Sequence, residues 1–455
     1  MQASDAHGAA SAPDSGPPSA PDARESASFL RSASTLVLVA AGAGLFAVAF
    51  RASLAAAYRG VFHATNVLDA IRALPAWLRI VVPALGGLAA GILSNRRAAR
   101  QGVGNVMEAV ALGRVHLSVV ATAWRAMASW MAIATGMSIG REGPLIEFGA
   151  SLGATISRAT ELPIETTRVL VSAGTAAGFA AAYNTPFAAL LFVVETMAGI
   201  VALDVVLAAM VAIVIGTTIT RAVVGGGPIY GLRAFALGSP VELLLYGLVG
   251  VLAALTAAVF KRMLDWSERL WRVTRLGKPW TPMLGGLVVG VIAVFVPEVV
   301  GNGYEPLHLV LDQRLGLVVM ASLLVLKMVA TSASVGSGVP GGVFTPTLLV
   351  GGVFGALCGQ AFAALGFIAP ASFTSYALAG MAATTAASIH APLTAAVMIF
   401  ELSGDYPMAL PLLFATAVAT LLSRALGSES VYMAELRRRG IGWTLTLDGR
   451  LVERR

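Results

Sequence analysis

The chain has 455 residues, of which 57% are hydrophobic and 12% charged, with a formal net charge of +7. At a mean hydropathy of +0.80 this composition excludes an ordinary soluble domain and points to a polytopic membrane protein. A single cysteine, Cys358, excludes disulfides within the chain and cysteine-built metal sites. The basic residues are scattered between apolar segments, so no nucleic-acid-binding face is expected.

Residues 1–28 are rich in Ala, Ser, Pro, Gly and Asp without apolar periodicity, and read as a disordered tail. Asp5, Asp14 and Asp22 stand where a signal peptide would carry basic residues, so none is expected. The first strongly apolar run is Leu36–Phe50, and the next, Ile80–Leu93, ends at Arg96, Arg97 and Arg100. Apolar runs follow at 117–137, 145–158, 166–181, 186–199, 203–222, 241–260, 282–296, 315–334, 343–365, 373–388, 392–403 and 407–426. Several are shorter than the roughly 20 residues that cross a bilayer, and Gly or Pro interrupts them. The 49 glycines and 21 prolines suit closely packed, broken helices.

Three basic clusters set an orientation: Arg96, Arg97 and Arg100; then Lys261, Arg262, Arg269, Arg272, Arg275 and Lys278; then the C-terminal arginines from Arg437 onward. The positive-inside rule puts all three in the cytoplasm. Arg51, Arg59, Arg72 and Arg79 pull the other way, and fall in a first connection or a long tilted helix.

Between apolar segments lies Met137-Ser138-Ile139-Gly140-Arg141-Glu142-Gly143-Pro144-Leu145-Ile146-Glu147. Charges at membrane depth are costly unless they face protein or a water-filled path. The glycines permit a tight turn and Pro144 suits a first helical turn. A helix starting here aims free N–H groups and the positive end of its dipole at whatever precedes it, which makes an anion site with Glu142 at its mouth. The plainer reading is a helix that ends at the lipid headgroups.

The chain also repeats itself. Gly178-Phe179-Ala180-Ala181 leads to Pro186 and Glu195, and Gly380-Met381-Ala382-Ala383 leads to Pro392 and Glu401, with nine residues from proline to glutamate in both. Ser138-Ile139-Gly140 with Pro144 matches Ser334-Val335-Gly336 with Pro340 at the same spacing. Paired, Gly/Pro-interrupted segments in two halves point to a transporter whose site lies at the repeat interface; chance likeness among Ala/Gly-rich helices is the alternative. A second glycine-rich break runs Gly336-Ser337-Gly338-Val339-Pro340-Gly341-Gly342-Val343-Phe344-Thr345-Pro346. Successive N–H groups from Gly342 to Phe344 at a helix start would suit a weakly hydrated anion, against the reading of a glycine hinge for packing.

These two glycine-rich stretches resemble the most specific signatures of the CLC chloride channel and antiporter family. Asn184-Thr185-Pro186 with Glu195, and His390-Ala391-Pro392 with Glu401, resemble its repeated helices, and the likeness covers about residues 30–440. The resemblance implies an all-α polytopic membrane protein of the CLC fold: two inverted-topology halves with broken and re-entrant helices. It divides the chain into a tail (1–28), a transmembrane domain (29–436) and a short cytoplasmic tail without a regulatory domain (437–455).

By the same resemblance, Glu142 falls on the gating glutamate, whose carboxylate competes with the anion and swings away when protonated. Arg141 and Gly143 flank it. Gly342, Val343 and Phe344 fall where backbone amides hold an anion, and Tyr432 on a coordinating tyrosine. The first anion-binding signature is altered to Arg100-Gln101-Gly102-Val103-Gly104, so that Gln101 replaces a serine, with Val103 or Asn105 as alternative registers. Thr196 occupies an inner proton-route position where antiporters often carry a glutamate, and a threonine releases no proton near neutral pH.

The expected function is chloride-selective anion transport by a pH- or voltage-gated channel; a proton-coupled antiporter, or transport of nitrate or fluoride, is the alternative. The expected partners are chloride (and protons in the antiporter), the lipid bilayer of the inner membrane with both termini cytoplasmic, and a second copy in a homodimer joined around 186–222 and 392–426. No cofactor beyond bound chloride ions, no metal and no catalytic residue is expected. A membrane-embedded enzyme or scaffold would need clustered catalytic side chains, which the sequence lacks. Lys327 in an apolar run reads as an anion lure or as a partner within the bundle, and His390 as structural.

Overall fold

The computed structural model describes residues 23–97, 102–113, 117–198, 202–231, 239–277, 279–369, 373–438, 440–441, 443–445 and 451–453. It is helical apart from a C-terminal hairpin, Trp443–Leu445 paired antiparallel with Leu451–Glu453. Seven of the described helices are long and apolar enough to cross a membrane, and five apolar helices are 10–17 residues long. The sequence breaks therefore become interrupted helices.

α1 (Ala23–Val61) starts earlier than the composition implies. After Pro21 no glycine or proline interrupts the chain until Gly42, so residues 23–28, expected in the tail, form its first turns. Residues 1–22 lie outside the described residues. The four early arginines sit in helices: Arg51 and Arg59 in α1, Arg72 in α2 (Val67–Ala73) and Arg79 in α3 (Ala76–Arg97). Arg72 pairs with Glu298 at 2.5 Å, and Arg79 donates to the carbonyls of Leu74 and Arg72, both at 2.8 Å.

The first half continues with α4 (Val103–Leu112), α5 (Val119–Ala134), α6 (Glu142–Ala159), α7 (Ile164–Tyr183), α8 (Pro186–Phe192, extended as a π-helical stretch over Val193–Ala198) and α9 (Leu203–Val224). The second half holds α10 (Glu242–Val273), α11 (Trp280–Phe295), α12 (Tyr304–Leu311), α13 (Leu317–Gly336), α14 (Phe344–Ala364), α15 (Phe373–Ile389), α16 (Pro392–Ser403) and α17 (Ala409–Ala425). α18 (Val431–Arg437) follows it.

The halves repeat each other in packing. α6 lies against α7 with Gly149 and Gly174 facing, where a Cβ on either would overlap the other's carbonyl oxygen. α14 lies against α15 with Gly351 and Gly380 in the same mutual contact. Small residues let these backbones approach closely, which in lipid is a main source of helix association. The turns before α8 and α16 also match. Asn184 (φ 58°) and His390 (φ 59°) both adopt the left-handed conformation, and their N–H groups bond to Ala180 and Ala386 at 2.7 and 2.8 Å.

One sequence register is corrected. Gly140 pairs with Gly342 through two backbone hydrogen bonds, 2.7 and 2.9 Å, and each glycine stands two residues before the start of α6 or α14. Gly140 with Pro144 therefore corresponds to Gly342 with Pro346, not to Gly336 with Pro340. The same four-residue spacing occurs twice in the second break, and Gly336 ends α13. Ser138 and Ser334 still touch, since the Ser138 N–H donates to Ser334 Oγ at 3.2 Å, but they are neighbours and not equivalents.

Candidate functional site

The starts of α6 and α14 meet at the Gly140–Gly342 bridge. Glu142 is the first residue of α6 and 1% exposed. Its side chain crosses to the N-terminus of α14, where Oε1 accepts the Phe344 N–H at 2.8 Å and, more weakly, the Thr345 N–H at 3.4 Å. Oε2 accepts the Thr345 hydroxyl at 2.9 Å. A carboxylate thus takes the donors that a helix start offers to any anion. Glycine is required on both sides of it: a Cβ at Gly140 or Gly342 would overlap the Glu142 carboxyl group. The Gly342 N–H is committed to the Gly140 carbonyl, so the donors facing the carboxylate are those of Phe344 and Thr345.

Behind these donors stands an aromatic cluster. The Tyr183 hydroxyl lies 2.8 Å from Thr345 Oγ1. The Phe179 ring packs on Phe192 and Phe344, with centroids 4.5 and 5.6 Å apart, and Phe192 reaches the Tyr432 ring at 6.3 Å. Buried aromatic edges and faces fix the first turn of α14 more firmly than aliphatic packing would.

A cavity of about 640 Å³ opens beside Glu142. Its wall brings together Gly102, Val103, Glu142, Gly143, Gly342, Val343 and Tyr432, which the sequence placed at the site from four distant stretches. Arg125 and Glu147, paired at 3.0 Å across α5 and α6, line it as well. Gln101 lies outside the described residues. Arg141 is not in this wall; its guanidinium stacks on the Tyr304 ring at 4.9 Å, and its Nε has no hydrogen-bond partner among the described residues. Thr196 is not in the wall either, and its hydroxyl donates back to the Phe192 carbonyl at 2.5 Å.

The surroundings of Lys327 and His390 favour structural roles for both. Lys327 is fully buried and donates to the carbonyls of Val299 and Gly301, both at 2.8 Å, so it organises a turn. His390 shapes the turn into α16 and lies 3.2 Å from Ser423 Oγ. Thr345 and Tyr183 were missed. Thr345 stood inside a quoted motif, next to the proline that marks the helix start, and that adjacency was the available signal. Among the described residues no three His, Cys, Asp or Glu side chains are grouped to hold a metal ion.

The sequence model for the voltage gated chloride channel family matches residues 86–424. A ClcB-like chloride channel protein of Ralstonia nicotianae is 37% identical over 409 residues, covering 88% of this chain and 95% of that protein. The voltage-gated ClC-type chloride channel ClcB of Escherichia coli O81 is 34% identical over 382 residues, covering 81% and 89%. Among solved structures, a slow cyanobacterial Cl⁻/H⁺ antiporter superposes with a TM-score of 0.81 at 22% identity, over 90% of this chain and 98% of that one. A CLC-type fluoride/proton antiporter gives 0.72 at 20% identity, over 90% and 97%. The chain belongs to the voltage-gated chloride channel (CLC) family, and its fold is that of an anion-transporting, multi-pass membrane protein.

Proposed function

We propose that this protein moves chloride across the inner membrane as a channel gated by the side chain of Glu142. The observation that carries the reading is the Glu142 carboxylate held by the Phe344 N–H and the Thr345 hydroxyl at the start of α14. An ionised carboxylate in that seat excludes a permeant anion, because both need the same donors. Protonation removes the charge that the donors stabilise, the side chain leaves, and the anion takes its place. Conduction therefore rises as external pH falls. Voltage acts on the same gate, since a charge moving within the membrane field does work.

The channel reading is favoured over the antiporter by Thr196, which offers no titratable group at the inner proton-route position. The antiporter keeps its own support in the two antiporters whose folds the chain shares. Both termini lie in the cytoplasm in this reading. The functional unit is a homodimer joined at the faces around 186–222 and 392–426, where Phe187, Leu207, Leu393 and Leu410 are exposed.

The test is chloride efflux from proteoliposomes with pH followed on both sides. The channel passes chloride without moving protons, and Glu142→Gln passes it independently of pH. Protons driven uphill by a chloride gradient would establish the antiporter. Wild-type pH dependence in Glu142→Gln would remove Glu142 from the gate.

A further inference from the structure

Lys261 lies in the second half of α10 and is 9% exposed. A buried ammonium is costly unless its donors are met, and those of Lys261 are met on three separate segments. Nζ donates to the Ala387 carbonyl at 2.9 Å, to Ser423 Oγ at 3.3 Å and to the Glu429 carbonyl at 3.0 Å. Ala387 stands in the last turn of α15 and Ser423 in the last turn of α17, and Ser423 Oγ itself donates to the Ala387 carbonyl at 2.9 Å. Carbonyls in a last turn lack helical partners and carry the negative end of the dipole, so a cation is well placed where two helices end together.

The third acceptor belongs to a different element. Glu429 directly precedes Ser430, the N-cap of α18, whose side chain accepts the Met433 N–H at 3.2 Å. At the other end of α18, Arg437 pairs with the Glu429 side chain at 2.6 Å, and Arg438 pairs with Asp265 (3.3 Å) and Glu268 of α10. Asp265 and Glu268 follow Lys261 by four and seven residues, on the same face of α10. α18 is thus laid along α10 and tied to it at both ends. The ties differ in strength. The partners in the far ion pairs are all a third or more exposed, and such pairs contribute little. The bond from Lys261 to the Glu429 carbonyl has a charged donor shielded from water, which makes it the stronger tie. Tyr432, the second residue of α18, is 7% exposed and stands in the wall of the cavity beside Glu142.

We propose that Lys261 is a positioning residue for anion transport: through the Glu429 carbonyl it fixes the start of α18, and so the place of the Tyr432 hydroxyl in the cavity wall. This rests on the reading of Tyr432 as an anion-coordinating group. Lys261 is absent from that wall, so it acts through the helix it holds and not on the anion.

Lys261→Met keeps the aliphatic stem and removes the ammonium. Chloride binding, measured by calorimetry on the full chain in detergent, should weaken about fivefold, the worth of one hydrogen bond. Loss of any buried lysine lowers the thermal midpoint, so the deciding readout is the coupling to Tyr432. Tyr432→Phe deletes the hydroxyl and weakens chloride binding by itself; in that background Lys261→Met should cost nothing further. Equal weakening in both backgrounds overturns the proposal, because Lys261 then acts by another route. A folded Lys261→Met that binds chloride as wild type does, while Tyr432→Phe binds weakly, overturns the proposal alone. Wild-type binding in Tyr432→Phe removes the Tyr432 reading and the proposal with it. Should Lys261→Met fail to fold, Ser430→Ala loosens the same helix start with Lys261 intact. A smaller weakening, again absent in the Tyr432→Phe background, is expected, and full additivity there overturns the proposal.

Discussion

Glu195 and Glu401 each cap the helix that carries the other. Glu195 accepts the N–H groups of Leu393 (3.0 Å) and Thr394 (2.7 Å) at the start of α16, and the Thr394 hydroxyl at 2.6 Å. Glu401, on α16, accepts the N–H groups of Phe187 (3.1 Å) and Ala188 (2.9 Å) at the start of α8. The repeat is thus closed by an exchange of carboxylates between halves, each answering the unsatisfied donors of the opposite short helix.

Glu401→Ala leaves the Phe187 and Ala188 N–H groups without their acceptor, at a cost of about 1–3 kcal/mol. A fall of several degrees in the thermal midpoint of the detergent-purified protein is the expected outcome. Glu195→Ala should give a comparable fall, as the exchange is nearly symmetric. A midpoint unmoved by either change would show that the exchange contributes nothing to stability.

Thr345→Val removes the hydroxyl that donates to Glu142 Oε2 and leaves both backbone N–H groups in place. The hydroxyl favours the ionised, seated carboxylate, so its loss favours release. One such bond is worth about 1–1.5 kcal/mol, which moves the pH midpoint of chloride efflux upward by about one unit. A midpoint that stays put or moves down would contradict the hydrogen-bond geometry as the determinant of seating.

Gly342→Ala puts a methyl group where the Glu142 carboxyl lies. In a protein that still folds, the carboxylate is forced from its seat, and efflux at neutral pH should approach that of Glu142→Gln. Efflux as low and as pH-dependent as wild type would mean that the seat tolerates the methyl group.

Lys327→Met deletes both hydrogen bonds to Val299 and Gly301 and strands two buried carbonyls, a loss of about 2–4 kcal/mol by the usual cost of an unmade bond. The expected phenotype is a protein of low thermal midpoint with unaltered anion preference. A stable variant with altered chloride dependence would restore Lys327 as an anion lure.

What the sequence disclosed was local. The Gly140–Pro144 and Gly336–Pro346 stretches announced helix starts inside the apolar region, because a proline after flexible glycines says so without help from the rest of the chain. The nine-residue interval from Pro186 to Glu195 and from Pro392 to Glu401 announced the repeat. What it concealed was relational. Nothing near Glu195 says that its partner is Thr394, about two hundred residues away, and nothing near Gly140 chooses Gly342 over Gly336 as its equivalent. The short helices α2, α4, α12 and α18 escaped because each is ten residues or fewer, too brief for a reliable apolar period.

The two hydrogen bonds between Gly140 and Gly342 clamp backbone to backbone within one turn of the Glu142 carboxylate. Such a clamp leaves little for the main chain to do when the seat changes hands. The soft coordinates at this point are the torsions of one glutamate, and a rotamer hop in a side chain is many orders of magnitude faster than a rearrangement of helices. If Glu142 gates as proposed, the gate would be a latch and not a rocking door: its tempo would be set by how often a proton arrives, with the frame around it held still.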